Sequence, residues 1–125
     1  MGFWEELPDQ CPPAKAADIE IADAYRCVTS DSPTKDDFLS QAARKRPLNP
    51  LADPCKHASC SLFTCADKAK NIAYRLPKPR EGGPFVAHLT IESGAGVSLE
   101  KNKHVDFWMY DTFDPVAAIK KIETV

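Results

Sequence analysis

Long hydrophobic runs are absent from this 125-residue chain. No stretch approaches the roughly 18 apolar residues that a membrane-spanning helix needs, so a membrane partner is not expected. The N-terminus, Met1-Gly-Phe-Trp-Glu-Glu, lacks the basic start and the apolar core of a secretory signal. Gly2 sits where a myristoylated glycine would, but Glu6 stands where that motif has Ser or Thr. A strong charge of either sign is also missing, since 16 Lys and Arg against 18 Asp and Glu leave a net charge of −2. No global field recruits nucleic acid. Five cysteines without an export signal point to a cytoplasmic protein with free thiols.

What is present is an ordinary globular composition, 43% hydrophobic and 27% charged, in a length that makes one domain with a real core. Residues 1–23 read as an N-terminal arm packed onto a single α+β domain of residues 24–125. The arm holds Pro8, Pro12 and Pro13, and Ala14–Ala24 after the proline pair suits a short helix. Phe3, Trp4 and Leu7 are the side chains expected to pack it down. Charge is unevenly placed. Glu5, Glu6, Asp9, Asp18, Glu20 and Asp23 face Lys15 alone, whereas Lys68, Lys70, Arg75, Lys78 and Arg80 form a basic run.

The expected sheet is mixed or antiparallel, with two or three short helices. Ala24–Thr29 is a strand by its alternation. It carries Arg26 in mid-strand, either as an edge residue reaching solvent or as an anchor whose planar fork fits phosphate oxygens. Thr34 is placed to cap a short helix that buries Phe38, Leu39, Ala42 and Ala43. Residues 46–54 are a proline-punctuated loop. Ser61–Thr64 then runs as a strand into a helix from Ala66, stopped by Pro77 and Pro79. Gly82-Gly83 makes the next turn. Pro84–Glu92 is the strongest strand, with Phe85, Ala87, Leu89 and Ile91 on one face. Gly94-Ala-Gly96 turns into Val97–Leu99. His104–Tyr110 is a further strand that sets His104, Asp106, Trp108 and Tyr110 in one row, able to grip a ring by stacking and hydrogen bonding. Asp114-Pro115 and a final strand, with Ile119, Ile122 and Val125 as core, close the chain.

Two clusters suggest chemistry. Cys55, His57, Cys60 and Cys65 are the right residue types for zinc. Their spacing is a poor match to a zinc knuckle, and the pattern suits cysteines used as small apolar fillers. His88-Leu-Thr90 matches half of the paired His-x-Thr signature of the 2H phosphoesterases. The required second copy is missing, because His104-Val-Asp106 has Asp in the third place.

The order of motifs resembles that of a family of small bacterial proteins. It runs Tyr25-Arg26, Asp37-Phe-Leu-Ser40, Cys60-Ser-Leu-Phe63, Val86-Ala-His-Leu-Thr-Ile91, His104 with Trp108, and Asp114-Pro115. The same layout is similar to the ADP-ribosyltransferase-like fold. That resemblance implies NAD as the cofactor, with Arg26 holding phosphate and Ser61 and Tyr25 shaping the ribose pocket beside Trp108. The late-strand glutamate of that fold has no counterpart, and His104 takes its place as the acid–base candidate. Two functions are therefore expected of a small cytoplasmic protein. The first is binding of a protein partner, as an immunity, antitoxin-like or phage accessory factor. The second is binding or processing of NAD or a related nucleotide, which requires Arg26, Ser61 and His104 to line one cleft.

Overall fold

The computed structural model describes residues 2–75 and 84–125. Six strands form one sheet: β1 (Ile21–Val28), β2 (Cys60–Phe63), β3 (Phe85–Ile91), β4 (Gly96–Lys101), β5 (His104–Met109) and β6 (Ile119–Thr124). Their order across the sheet is β4-β5-β2-β1-β3-β6, and every pairing is antiparallel. Among the described residues two helices complete the α+β fold, α1 (Pro54–His57) and α2 (Ala66–Arg75). A 3-10 turn spans Lys35–Phe38.

Side-chain alternation sorts the strands into two buried faces. Ala24, Val28, Leu62, Ala87, Leu89, Ile91, Val105 and Phe107 form the larger core with Phe38, and Trp4 and Phe113 pack against it. Phe63 and Val86 turn the other way and meet Ala69 and Ala73 of α2, with Tyr25, Cys27 and Ile72 alongside. The helix follows from its sequence. Ala69 and Ala73, four apart, give a smooth stripe that lets the backbone lie close to the sheet.

The N-terminal segment differs from the expected helix. Residues 14–20 contain no helix, Ala17 makes an isolated bridge to Ser98 of β4, and β1 begins at Ile21. Propensity yields here to the unpaired edge of β4, which Ala17 satisfies through Ala17 N to Ser98 O at 3.1 Å and Ser98 N to Ala17 O at 2.9 Å. Phe3 and Trp4 dock at the other end of β5, where Trp4 N donates to Met109 O at 3.0 Å. The Thr34-capped turn ends after Phe38 rather than continuing, so Ala42 and Ala43 are exposed. Ser40 is buried instead, its hydroxyl 2.5 Å from Glu5 Oε1 and its amide 2.9 Å from Glu5 Oε2. Pro77, Pro79, Gly82-Gly83 and the basic residues Lys78 and Arg80 lie outside the described residues.

The cysteines correct another expectation. Cys11 and Cys55 are joined in a disulfide across 44 residues of sequence, so they are not free thiols. The bond ties the arm to α1. Proximity in sequence gave no sign of it, because the pairing depends on the arm folding back over the domain.

Candidate functional site

Antiparallel register places a complete row across the α2 side of the sheet. From edge to edge it reads Lys101, His104, Phe63, Tyr25, His88 and Lys121, each the direct partner of the next. Tyr25 and His88 stack with centroids 4.6 Å apart and planes 11° from parallel. His104 meets the edge of Phe63 at 5.4 Å. His88 Nε2 lies 2.7 Å from Asp23 Oδ1. Asp23 was not foreseen as a partner of His88. It reaches the imidazole because the pairing of β1 with β3 shifts register between Ile21 and Ala24, a break that no local sequence signal marks.

One step along β2 and β5, Ser61 faces Asp106. Asp106 is buried and accepts from Ser59 Oγ at 3.0 Å. His104 Nδ1 approaches the same carboxylate oxygen to only 3.8 Å, with its ring 37% exposed. Further along β5, Trp108 is buried at 2% exposure, and its Nε1 donates to Cys55 O at 3.1 Å. The expected ring-gripping row on β5 is therefore closed at its Trp108 end by the chain's own α1 segment. At the two ends His104 and Tyr110 are half-buried, with Tyr110 lying against Phe3 at 5.3 Å between ring centroids.

Arg26 is elsewhere. Its neighbours along β1, Tyr25 and Cys27, pack toward α2, so the Arg26 side chain enters the opposite face among Ala24, Val28 and Ala87. There Nε and Nη2 both donate to Asp37 O, at 3.1 and 3.0 Å. Nη2 also donates to Leu39 O at 3.2 Å, and Nη1 donates to Ser61 O at 2.9 Å. β1 is an interior strand, so this is not an edge arginine reaching water. The guanidinium staples β1 to β2 and to the turn after Lys35. It also acts on its surroundings. Burial pushes the Cys60 thiol above its ordinary value, partly offset by Arg26. Partial desolvation, then the like charge of Arg26, lowers the Arg44 guanidinium.

Of the five residues singled out from sequence, Tyr25, Ser61, His104 and Trp108 thus share one face of the sheet. Arg26 lies on the other and touches Ser61 only through the backbone. The three-residue cleft of Arg26, Ser61 and His104 is not formed.

The zinc cluster is likewise dispersed. Cys55 is in the disulfide, Cys60 is buried in the larger core, and His57 Nε2 lies 3.0 Å from Arg46 O. Among the described residues no group of three or more His, Cys, Asp or Glu converges to hold a metal.

Neither Ser61 nor His104 lines any of the better-formed cavities among the described residues. A partly open void between the arm and the sheet, lined by Trp4, Glu5, Phe38, Cys60, Phe107 and Trp108, holds about 10 Å³, room for at most one water. An open groove of about 470 Å³ runs between Thr90, Gly94, Phe113 and Asp114, away from His104 and Ser61.

No protein-family model, curated protein or solved structure matches this chain. Function therefore rests on the geometry alone. No helix among the described residues is long and apolar enough to cross a membrane.

Proposed function

We propose that this protein works by binding a protein partner, as an accessory factor of the immunity or antitoxin-like kind. One observation carries the reading: the guanidinium expected to hold a phosphate gives its hydrogen bonds to three backbone carbonyls, on the face away from Ser61 and His104. A phosphate arriving beside Ser61 would find the Arg26 charge on the far side of the sheet. Recruiting Arg26 would take the guanidinium donors from part-buried Ser61 O and Leu39 O, at about 1–3 kcal/mol for each carbonyl left unpaired, while Asp37 O would keep its bond from Arg44 Nη2. A nucleotide would have to overcome that cost before gaining any affinity.

The second reading is an ADP-ribosyltransferase-like domain that binds or processes NAD. It is favoured by Tyr25, Ser61 and His104 sharing a face, with Asp106 between the serine and the imidazole. On this reading Lys101 and Lys121, at the two ends of the row, would have to supply the charge that Arg26 cannot.

Two measurements separate the readings. Thermal melting with millimolar NAD is expected to show no shift, because a ligand raises Tm only if it binds the folded state. Immobilised protein is expected to retain a stoichiometric partner from a lysate of its source cell, and Ser61→Ala and His104→Ala are expected to retain it equally. A rise of several degrees with NAD, abolished by Ser61→Ala or His104→Ala, would overturn partner binding in favour of the nucleotide.

A further inference from the structure

The segment between Asp37 and Asp53 contains no acidic residue and carries three consecutive bases, Arg44, Lys45 and Arg46. Every residue from 41 to 54 is exposed. Exposed loops of this length are commonly loose, yet this one is tied at both feet. Ala42 N donates to His57 O at 3.0 Å, His57 Nε2 lies 3.0 Å from Arg46 O, and Arg46 N donates to Gln41 O at 3.0 Å. Arg44 Nη2 donates to Asp37 O at 3.0 Å. Lys45 takes φ 59°, the left-handed region that a non-glycine residue enters only when its surroundings hold it there.

The tip is built as firmly. Ala52 N donates to Asn49 O at 2.8 Å, and Leu51 N donates to Asn49 Oδ1 at 3.0 Å. Pro50 holds the second position of this turn, where its fixed φ suits the geometry. Leu51 follows it at 97% exposure, with Leu48 at 40%. A lone exposed leucine needs no explanation. This one projects from a hydrogen-bonded proline turn beside a block of positive charge.

We infer that residues 44–52 form a docking finger: Leu51 enters an apolar pocket on a protein partner, and Lys45 and Arg46 meet carboxylates around its rim. The inference rests on the partner-binding reading above and names the surface that serves it. Charge complementarity selects the rim, since the finger offers only cations. Pre-set geometry lowers the ordering cost that a flexible loop would meet on binding. A lipid surface fits less well. One leucine carries far less apolar area than a myristoyl chain, which by itself anchors a protein only marginally.

The test uses the partner retained by the immobilised full-length chain, purified and titrated calorimetrically. Leu51→Asp is expected to weaken Kd by about 10-fold or more, the scale of losing one buried leucine. Lys45→Glu with Arg46→Glu is expected to weaken it comparably and to flatten its dependence on salt. Arg44 is left intact because it bonds Asp37 O, and unchanged melting of each variant confirms the fold. A retained partner that binds both variants as tightly as the parent chain would overturn the finger and leave partner binding standing. Failure to retain any stoichiometric partner would overturn both. Vesicles of phosphatidylcholine with phosphatidylserine supply the remaining arm. Sedimentation of the chain with them, lost in Leu51→Asp, would overturn the protein-docking assignment in favour of a lipid surface.

Discussion

On one face of the sheet, the charged side chain of Arg26 gives four hydrogen bonds to backbone carbonyls of Asp37, Leu39 and Ser61. On the other, His104 stands 37% exposed and comes no nearer than 3.8 Å to the Asp106 carboxylate. Both residues were picked out for the same reason, a polar group in an alternating strand. The difference lies in what covers them. The Arg26 face is roofed by Phe38 and the arm, so a charge there must find partners within the protein. The His104 end of its own face is left open by α2, so its imidazole can remain wet. A polar residue in a strand announces chemistry only where its face is uncovered.

The largest expected effect sharpens that contrast from the closed side. Arg26→Ala should destabilise the fold by about 3–5 kcal/mol in urea unfolding, because four charge-assisted hydrogen bonds to part-buried carbonyls are lost together. Arg26→Lys should recover only part, since an ammonium has no planar fork. A loss below about 1 kcal/mol for Arg26→Ala would break the claim that this arginine is structural. The same test applies along β5, within one face. Trp108→Ala should cost about 3–5 kcal/mol as a buried indole is removed, whereas His104→Ala should stay within about 0.5 kcal/mol. Equal losses would mean that the row is uniformly buried.

The arm comes next. Replacing Cys11 and Cys55 together by Ser should lower stability by about 2–4 kcal/mol relative to the oxidised protein, as expected for a bond that closes a long loop. A purified protein with five titratable thiols before reduction would contradict the disulfide.

The smallest effect is a pH dependence. Burial raises the Cys60 thiol above its ordinary value of 9.0, so folding favours the protonated form. The unfolded state then binds fewer protons above that pH, and stability should fall as pH rises beyond 9.0, with no contribution below it. Removing the thiol with Cys60→Ala should flatten that alkaline decline, read by melting at a series of alkaline pH values. In the folded protein Cys60 should also be alkylated far more slowly than Cys65.

Much of the fold was legible because alternation is a local property. Phe85, Ala87, Leu89 and Ile91 mark β3, and Val105, Phe107 and Met109 mark β5, without knowledge of any neighbour. Helix α2 is likewise written in Ala66, Ala69 and Ala73. The stretch at 14–24 misled because alanine-rich sequence favours helix only until an open strand edge competes for its amides. Of the candidate site, the expected cleft of Arg26, Ser61 and His104 is not formed, and the position of Arg26 on the far face was not anticipated. Nor was Asp23 as partner of His88, nor Cys11 as partner of Cys55, nor Glu5 as partner of Ser40.

The chain's own order of residues determined which segments extend, which one coils, and which side chains lie together along each strand, since those follow from periods of two and of 3.6 residues. Which face of β1 would be roofed, and therefore whether Arg26 would serve the fold or a ligand, was decided only when the arm, the 34–40 turn and α2 settled onto opposite sides of the sheet. The reason is desolvation. A guanidinium costs little in water and a great deal in a core, and the covering segments that set its surroundings are far from it in sequence.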